Sequence, residues 1–298
     1  MSSQQNGHSN PDQGSSDKAA GSALPAPVVT TMPHPTWTPG IKQPMPYTGT
    51  YEMFDPTVAP KPDCYAMVVS SFVPRPIALV SSLSTEGHHN VAPFSYFNAV
   101  GHNPVNLTIG CNRSPSRQGG KKDTLINIEE TGEFVVNIMS DWWVEAANHT
   151  CGDYDRGVDE AALSGLTLLP AERVKAPRLA ESAVHMECKL RQIVEVPAPD
   201  GTPSIAIVIA EVVMFHVHEA VAGRSPQGKL VVNTVPLRPI SRLGGTQYAT
   251  TGTIFDIGRP VMEEAHLGPA QYTASYKAAL EKQGKDKDGE QDQQPQKQ

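Results

Sequence analysis

The chain has 298 residues, of which 39% are hydrophobic and 18% charged, and its net charge is −7. Nucleic acid is a poor candidate partner, because phosphate binding relies on clustered Lys and Arg and this acidic chain has no basic stripe. No stretch approaches 18 uninterrupted apolar residues, and the N-terminus lacks a basic segment followed by an apolar one, which argues against a membrane span and a secretion signal. The sequence therefore predicts a soluble, cytoplasmic protein that acts on a small molecule.

The two ends of the chain differ in composition from the middle. Residues 1–45 are dominated by Ser, Gln, Asn, Gly and Pro, and residues from about 278 to 298 by Lys, Asp, Glu and Gln. Segments so poor in apolar residues cannot bury a core. We predict disordered tails at both ends and one folded domain at residues 46–265.

The first predicted elements are β-strands. A strand is expected at residues 76–84, followed by a turn. Residues 90–104 (NVAPFSYFNAVGHNP) contain Pro93 and Pro104. Proline is excluded from regular central strands, so a loop or broken strand is expected there. Residues 105–111 alternate apolar and polar side chains, the period of a half-buried strand.

A polar loop and a short helix follow. The loop at residues 113–122 (RSPSRQGGKK) leads to a helix predicted at 124–131, which Asp123 or Thr124 can cap and which stops at Gly132.

The rest of the domain alternates strands and short helical segments. A strand is predicted at 133–140, a short helix at 141–150, strands at 184–196 and 204–217, and a weaker strand at 229–235. Many strands with short helices between them favour a closed β-barrel with helical insertions over βαβ repeats.

The loop at residues 113–122 has the chemistry of a phosphate site. Its basic side chains and hydroxyls precede the N-terminus of a helix, where backbone N–H groups bind anions. An ordinary solvated loop before a capped helix explains the same residues equally well. Local sequence leaves both interpretations open for Arg113, Ser114, Ser116, Arg117, Lys121 and Lys122.

An aromatic loop at residues 92–97 (APFSYF) is a candidate to contact a flavin ring. A bound flavin mononucleotide (FMN) needs a wall for its ring and hydrogen-bond donors near the atoms that gain electron density. Backbone amides and the Ser95 hydroxyl can supply such donors, since Pro93 prevents ladder pairing. A hydrophobic turn that packs into the core is the more common role of such aromatics.

Other cofactor and metal sites find little support. No GxGxxG motif follows a predicted strand, so NADH or NADPH would bind only transiently. His216 and His218 could lie on one side of a strand as metal ligands, but no third ligand is evident, and we favour a structural role. The cysteines are far apart in the sequence and are expected to be reduced thiols: Cys64, Cys111, Cys151 and Cys188.

Six segments in fixed order resemble one family. They are PRPIALVSSLSTEGHHNVAPFSYFNAV, KKDTLINIEETGEFVVNI, GVDEAALSGL, ESAVHMECKL, IAEVVMFHVHEAV and PLRPISRLGGTQYA. Together they resemble the flavin reductase-like family of FMN-binding split barrels over about residues 60–255. The resemblance implies a mainly β, homodimeric, six-stranded split barrel with short helices and with FMN near the subunit interface.

The resemblance also implies a function. It is that of an FMN-dependent oxidoreductase of the NAD(P)H:flavin reductase type, in which hydride passes from NADH or NADPH to bound flavin and electrons pass on to an unknown acceptor. No side chain is required as nucleophile or acid, and no metal is implied. The alternative is a non-catalytic flavin-binding module, because fold and cofactor do not determine activity.

Candidate cofactor-binding residues follow from matching these segments to the family. They are Ser81 and Ser82 at the end of the first barrel strand; Asn90, Ala92, Pro93, Phe94 and Ser95 in the ring-contacting loop; Arg113, Ser114, Arg117, Lys121, Asp123 and Thr124 in the phosphate-binding segment; and Arg242, Gly244 and Tyr248 in the C-terminal motif.

Overall fold

A computed structural model describes residues 24–37, 42–114 and 117–257. Its strands are β1 (Val28–Thr30), β2 (Ala78–Leu83), β3 (His89–Phe94), β4 (Phe97–His102), β5 (Val105–Asn112), β6 (Glu133–Ile138), β7 (Leu168–Leu169), β8 (Arg178–Leu179), β9 (Val184–Pro197), β10 (Pro203–Val217), β11 (Ala222–Arg224), β12 (Leu230–Val232), β13 (Ile240–Arg242), β14 (Tyr248–Thr250) and β15 (Thr253–Phe255). Its α-helices are α1 (Lys61–Ser71), α2 (Asp123–Thr131), α3 (Val144–His149), α4 (Glu160–Ser164) and α5 (Thr234–Leu237), and 3-10 helices cover Gln118–Gly120, Asp141–Trp143 and Glu219–Val221. The predicted fold class, mainly β with short helices, is confirmed.

Seven strands form one antiparallel sheet in the order β3-β2-β6-β9-β10-β5-β4. The two outermost strands, β3 and β4, are separated in the chain only by Ser95 and Tyr96. A sheet whose opposite edges are two residues apart must curl until those edges approach each other. Within the described part of the chain, β3 pairs only with β2 and β4 only with β5. The sheet is therefore a barrel that is split between β3 and β4, and it has seven strands rather than the six that the resemblance implied.

Alternate residues of the strands fill the barrel. Val80, Ile109 and Phe134 belong to one buried cluster, and Leu125 and Ile128 of α2 pack into the same cluster. This alternation follows from the period of two along a strand. The first turn of α2 is thereby held against the barrel beside β3.

A second buried cluster lies on the outer face of the barrel. Leu79 of β2 and Val91 of β3 point outward and pack with Trp143, Ile240 and partly buried Tyr248. Burial of Tyr248 in this cluster anchors the hairpin formed by β13 and β14 beside the split.

Most strand predictions are confirmed, but the prediction for residues 90–104 is only half right. The chain does break at the Ser95–Tyr96 turn, yet regular strands flank it, and Pro93 lies within β3 opposite Leu79. The N–H of Val91 points away from β2 toward Glu160. Residues two apart in a strand face the same way, so Pro93 gives up no ladder hydrogen bond at this sheet edge.

One helix was not predicted, and the predicted cap of another is wrong. Helix α1 has no counterpart among the predicted elements, because only Val69 of its residues is buried and it has no apolar stripe to recognise. Helix α2 is confirmed and ends at Gly132, whose φ is 69°. The predicted cap is wrong: Lys122 occupies the N-cap position without a side-chain hydrogen bond, and Thr124 donates to Asn90 instead.

A second compact unit comprises, among the described residues, 28–37, 42–59 and 253–257. In it β1 pairs with β15 in parallel. Residues 28–30 fall within the predicted disordered tail, but their sequence Val-Val-Thr is β-branched and finds a partner strand. Of the predicted tails, residues 1–23, 38–41 and 266–298 lie outside the described residues, and the domain limits of 46 and 265 stay a prediction.

Two further findings concern membranes and cysteines. No helix in the described segments is long and apolar enough to cross a membrane. All four cysteines are free thiols, as expected, and Cys151 is the exposed one.

Candidate functional site

Two adjoining clefts open beside the split between β3 and β4. The larger, of about 290 Å³, is called the aromatic cleft because Tyr65 and Tyr96 are among its walls. The smaller, of about 110 Å³, is called the polar cleft. Pro93, Lys122 and Cys151 line both clefts. The two clefts therefore adjoin, and their combined volume lies within the range of roughly 300–1,000 Å³ that small-molecule sites occupy.

The aromatic cleft combines ring faces with positive charge. Its described lining residues include no Asp or Glu, whereas Arg75, Lys122 and Arg242 contribute guanidinium and ammonium groups. Aromatic and apolar walls suit a planar ligand, and cations favour one that carries or gains negative charge.

Arg75 holds the floor of the aromatic cleft together. Its Nη1 donates to the carbonyls of Val69 (2.6 Å) and Phe72 (2.8 Å) at the end of α1, and its Nη2 donates to the carbonyl of Leu243 (2.8 Å). The backbone of Arg75 also pairs with that of Arg242 in both directions at 3.0 Å. One buried guanidinium therefore joins α1, the barrel and the C-terminal hairpin.

The turn between β3 and β4 is fixed at both residues. Nε of Arg75 donates to Oγ of Ser95 at 3.2 Å. Because Ser95 accepts this bond, its hydroxyl hydrogen remains for a ligand. The N–H of Gly110 donates to the carbonyl of Tyr96 at 2.7 Å, and a Cβ on Gly110 would lie 3.0 Å from Cβ of Tyr96. Glycine on β5 thus permits the close approach that holds the turn.

Arg242 and Tyr248 form one wall of the aromatic cleft. The guanidinium of Arg242 lies 4.4 Å from the centre of the Tyr248 ring, a cation–π contact. The Tyr248 hydroxyl donates to Asn148 Oδ1 at 2.6 Å, and burial raises the pKa of Tyr248 above its usual value of 10. The phenol therefore stays protonated at neutral pH. Gly244 packs instead on α1, where an added Cβ would lie 3.5 Å from Ser70.

The polar cleft lies at the N-terminus of α2. The first N–H groups of a helix have no acceptor within it and favour anions. Lys122 stands at the cleft junction, with Nζ 5.4 Å from the centre of the Phe94 ring. The Asp123 carboxylate is offset by Arg117 (4.0 Å) and Arg156 (3.7 Å). The cleft therefore offers donors and a cation to an anionic group.

The structure brings most predicted site residues to these clefts. Those that line one or both are Asn90, Ala92, Pro93, Phe94, Ser95, Ser114, Arg117, Asp123, Thr124, Arg242 and Tyr248. Segments from residues 90 to 248 thus converge on two adjoining clefts.

Ser81 and Ser82 are not among the lining residues. Both are completely buried within β2. The Ser81 hydroxyl donates to the carbonyl of Pro177, and that of Ser82 accepts from Asn127 at 3.1 Å. Their side chains are engaged in the protein interior rather than presented to a ligand.

Arg113 and Lys121 lie away from both clefts. Arg113 pairs with Glu195, and Nζ of Lys121 lies 2.5 Å from Glu129. Both line a separate depression beside the turn between β9 and β10. Lys121 and Lys122 are consecutive at the entry to α2 and project in different directions. Lys122 rather than Lys121 is therefore the lysine of the clefts.

Several residues of the clefts were missed as candidate site residues from sequence, among them Arg75, Cys151 and Glu160. Arg75 lies between two prolines just before an apolar strand. A single charged residue in such a place indicates a side chain with a specific partner. Cys151 joins the clefts from the loop after α3, and Glu160 enters the polar cleft from α4. Neither carries a local pattern that indicates a site.

His216 and His218 have separate structural partners. His216 Nε2 lies 2.5 Å from the buried carboxylate of Glu187. Nδ1 of His218 accepts from the N–H of Ala220 at 3.2 Å. The two rings therefore do not converge on a shared ligand, and the described residues include no cluster of three metal ligands.

Comparison with known proteins agrees with the fold and the order of motifs. The chain matches the flavin reductase like domain over residues 69–235. The protein YwrF of Bacillus subtilis is 37% identical over 200 residues, which cover 66% of this chain and 94% of YwrF. The crystal structure of nitrilotriacetate monooxygenase component B from Bacillus cereus is 33% identical with a TM-score of 0.65, covering 70% of this chain and 100% of that one. The crystal structure of the 2-nitrobenzoate 2-nitroreductase NbaA of Pseudomonas fluorescens is 30% identical with a TM-score of 0.61. The match covers 71% of this chain and 98% of NbaA. The chain belongs to the flavin reductase-like family of split-barrel proteins.

Proposed function

We propose that this protein is an FMN-dependent oxidoreductase of the NAD(P)H:flavin reductase type. The observation that carries the proposal is the adjacency of the two clefts: an aromatic, positively charged cleft shares Pro93, Lys122 and Cys151 with a polar cleft at the N-terminus of α2. FMN has the matching division into a planar ring and a phosphate. When bound, it supplies the redox chemistry, taking hydride from NADH or NADPH and passing electrons to an acceptor.

The polar cleft is the proposed phosphate end. The Lys122 ammonium and the first N–H groups of α2 supply charge-assisted hydrogen bonds to a phosphate. Arg117 adds a second guanidinium, although its Nη1 and Nη2 already bind the carbonyl of Tyr154 (2.6 Å) and Asp153 (2.5 Å). Lys122 therefore carries the larger share of phosphate recognition.

The aromatic cleft is the proposed ring end. The Ser95 hydroxyl and the backbone of the turn between β3 and β4 face it and can donate to ring atoms that gain electron density. Arg75 keeps Ser95 in place through its 3.2 Å hydrogen bond. The role of these residues is to bind and orient, since the cofactor carries the reactive atoms.

A homodimer is part of the proposal. Helix α1 leaves Tyr65 and Met67 exposed, and Phe72, directly after it, is 67% exposed. Exposed apolar side chains grouped on one segment indicate an interaction surface. Tyr65 also lines the aromatic cleft, so a partner on this surface would lie beside the flavin site. Sedimentation equilibrium is expected to give twice the chain mass, and a monomer would contradict this part of the proposal.

The rival is a flavin-binding module without turnover. The discriminating experiment mixes the FMN-loaded protein with NADH or NADPH and follows nicotinamide oxidation. Free FAD and 2-nitrobenzoate serve as alternative acceptors, the second because of the similarity to NbaA. We expect oxidation well above the protein-free rate with at least one acceptor. Bound flavin without oxidation in any combination would leave only the rival.

A further inference from the structure

Three buried polar side chains form a hydrogen-bonded chain in the wall of the polar cleft. Glu160, the first residue of α4, accepts from the N–H of Val91 (3.0 Å) and from Nδ2 of Asn90 (2.8 Å). Oδ1 of Asn90 accepts from the hydroxyl of Thr124 at 2.6 Å. Glu160, Asn90 and Thr124 all line the cleft, and none is more than 7% exposed. The start of α4 is thus connected through β3 to the first turn of α2.

The direction of each bond follows from the charge on Glu160. An ionised carboxylate can only accept hydrogen bonds, so Asn90 must turn its amide nitrogen to Glu160 and its carbonyl oxygen to Thr124. Thr124 then commits its single hydroxyl hydrogen to Asn90. In that state Thr124 presents only lone pairs to the cleft, and it cannot donate to a phosphate, whose oxygens are acceptors.

A neutral group at position 160 reverses the direction of the hydrogen bonds that link residue 160 through Asn90 to Thr124. Protonated Glu160 can donate to Oδ1 of Asn90 while its other oxygen still accepts from Val91. The turned amide then donates to Oγ of Thr124, and the Thr124 hydroxyl hydrogen becomes available to the cleft. No covalent change is needed beyond one proton and the rotation of one amide.

We infer that Glu160 is a positioning residue that sets, through Asn90, whether Thr124 donates a hydrogen bond to the phosphate of bound flavin. The identity of the ligand rests on the proposed function. The connection from Glu160 to Thr124 rests on the three hydrogen bonds alone.

The surroundings of Glu160 raise its pKa above that of an ordinary glutamate. Burial raises the pKa of Glu160, and the Asp123 carboxylate adds to the rise, against hydrogen bonds from Val91 and Asn90 that lower it. A phosphate in the same cleft adds further negative charge, so phosphate binding and protonation of Glu160 promote each other. The other charged or titratable groups around the cleft are Lys122, Arg117, Asp153, Cys151, Arg156 beside Asp123, and the His89–Asp159 pair.

The test replaces Glu160 with Gln, a neutral side chain of the same shape. Glu160→Gln is expected to raise FMN affinity roughly tenfold, the size of one hydrogen bond to a charged group, and to leave riboflavin affinity unchanged. The ratio of variant to wild-type FMN affinity should fall toward one as the pH is lowered, because wild-type Glu160 then becomes neutral too. Taking the ratio cancels the titration of the phosphate itself. Flavin fluorescence titration of the full chain gives both constants.

Thr124→Val separates the hydrogen-bonded chain from simple loss of charge. In the Thr124→Val background, Glu160→Gln should give no gain, and in the Thr124→Ser background, which keeps a hydroxyl, the gain should remain. A gain that persists undiminished in Thr124→Val would show a charge effect and overturn the inference, as would the absence of any gain in the Glu160→Gln single variant. Thermal unfolding checks that each variant folds, and Thr124→Ala replaces Thr124→Val if the latter does not. A wild-type protein without preference for FMN over riboflavin would instead overturn the proposed function, and the inference with it.

Discussion

Replacing Arg75 with Met is expected to lower the free energy of unfolding by about 3 kcal/mol or more. Arg75 is 8% exposed, and its guanidinium satisfies three backbone carbonyls, those of Val69, Phe72 and Leu243. Met fills a similar volume but donates nothing, so the carbonyls lose their partner at a cost of about 1–3 kcal/mol for each buried one. The loss should also loosen the turn at Ser95 and weaken flavin binding.

Urea denaturation followed by circular dichroism measures this change. Ser95→Ala is the matched control, because it removes only the 3.2 Å bond from Nε and leaves all three carbonyls satisfied. Its cost should be about 1 kcal/mol. If Arg75→Met is no more costly than Ser95→Ala, the guanidinium does not join the three segments as the geometry indicates.

Replacing Lys122 with Met is expected to weaken FMN binding about 10- to 100-fold while riboflavin binding changes little. Lys122 lines both clefts, and within the described residues it forms no ion pair that would divert its charge. A charge-assisted hydrogen bond to phosphate contributes about 1.5–3 kcal/mol, which corresponds to this range of affinity.

Lys121→Met is the control for the adjacent position. Lys121 is paired with Glu129 and lies away from the clefts, so its replacement should alter FMN affinity less than about threefold. The opposite ranking of the two variants would place the phosphate on the other side of the loop and contradict the assignment. Titration of both variants with FMN and riboflavin decides the matter.

The sequence predicts the fold correctly where apolar residues recur at a regular period or where many motifs follow one another in the order of a known family. Alternation from 105 to 111 predicts β5, and Gly132 predicts the end of α2, because both reflect local geometry. The barrel itself follows from the resemblance. Its closure has a local physical cause, since only two residues separate the strands at its opposite edges.

The remaining features depend on tertiary contacts. Whether Lys121 or Lys122 faces the cleft depends on how the chain enters α2, which composition does not determine. Pro93 is compatible with β3 only because that strand is a sheet edge. Arg75 can be buried because its guanidinium donates to backbone carbonyls, including that of Leu243, which is distant in the sequence. Local sequence does not predict a contact between residues so far apart.

The charge state of Glu160 links these features to function. Its carboxylate covers the free N–H of an edge strand and also orients Asn90 toward α2. One residue therefore serves both the packing of β3 and the chemistry of the polar cleft. A buried carboxyl in a cleft with a raised pKa is a candidate for a functional role, as the inference on Glu160 proposes.

The comparison of FMN with riboflavin on the wild-type protein tests the central claim most directly. The two ligands share the ring and differ only in the phosphate, which is the group assigned to Lys122 and the N-terminus of α2. Fluorescence titration of the purified chain is expected to show FMN binding at least about 100-fold more tightly, as two or more charge-assisted contacts would give. Equal affinities, or no binding of either flavin, would contradict the account.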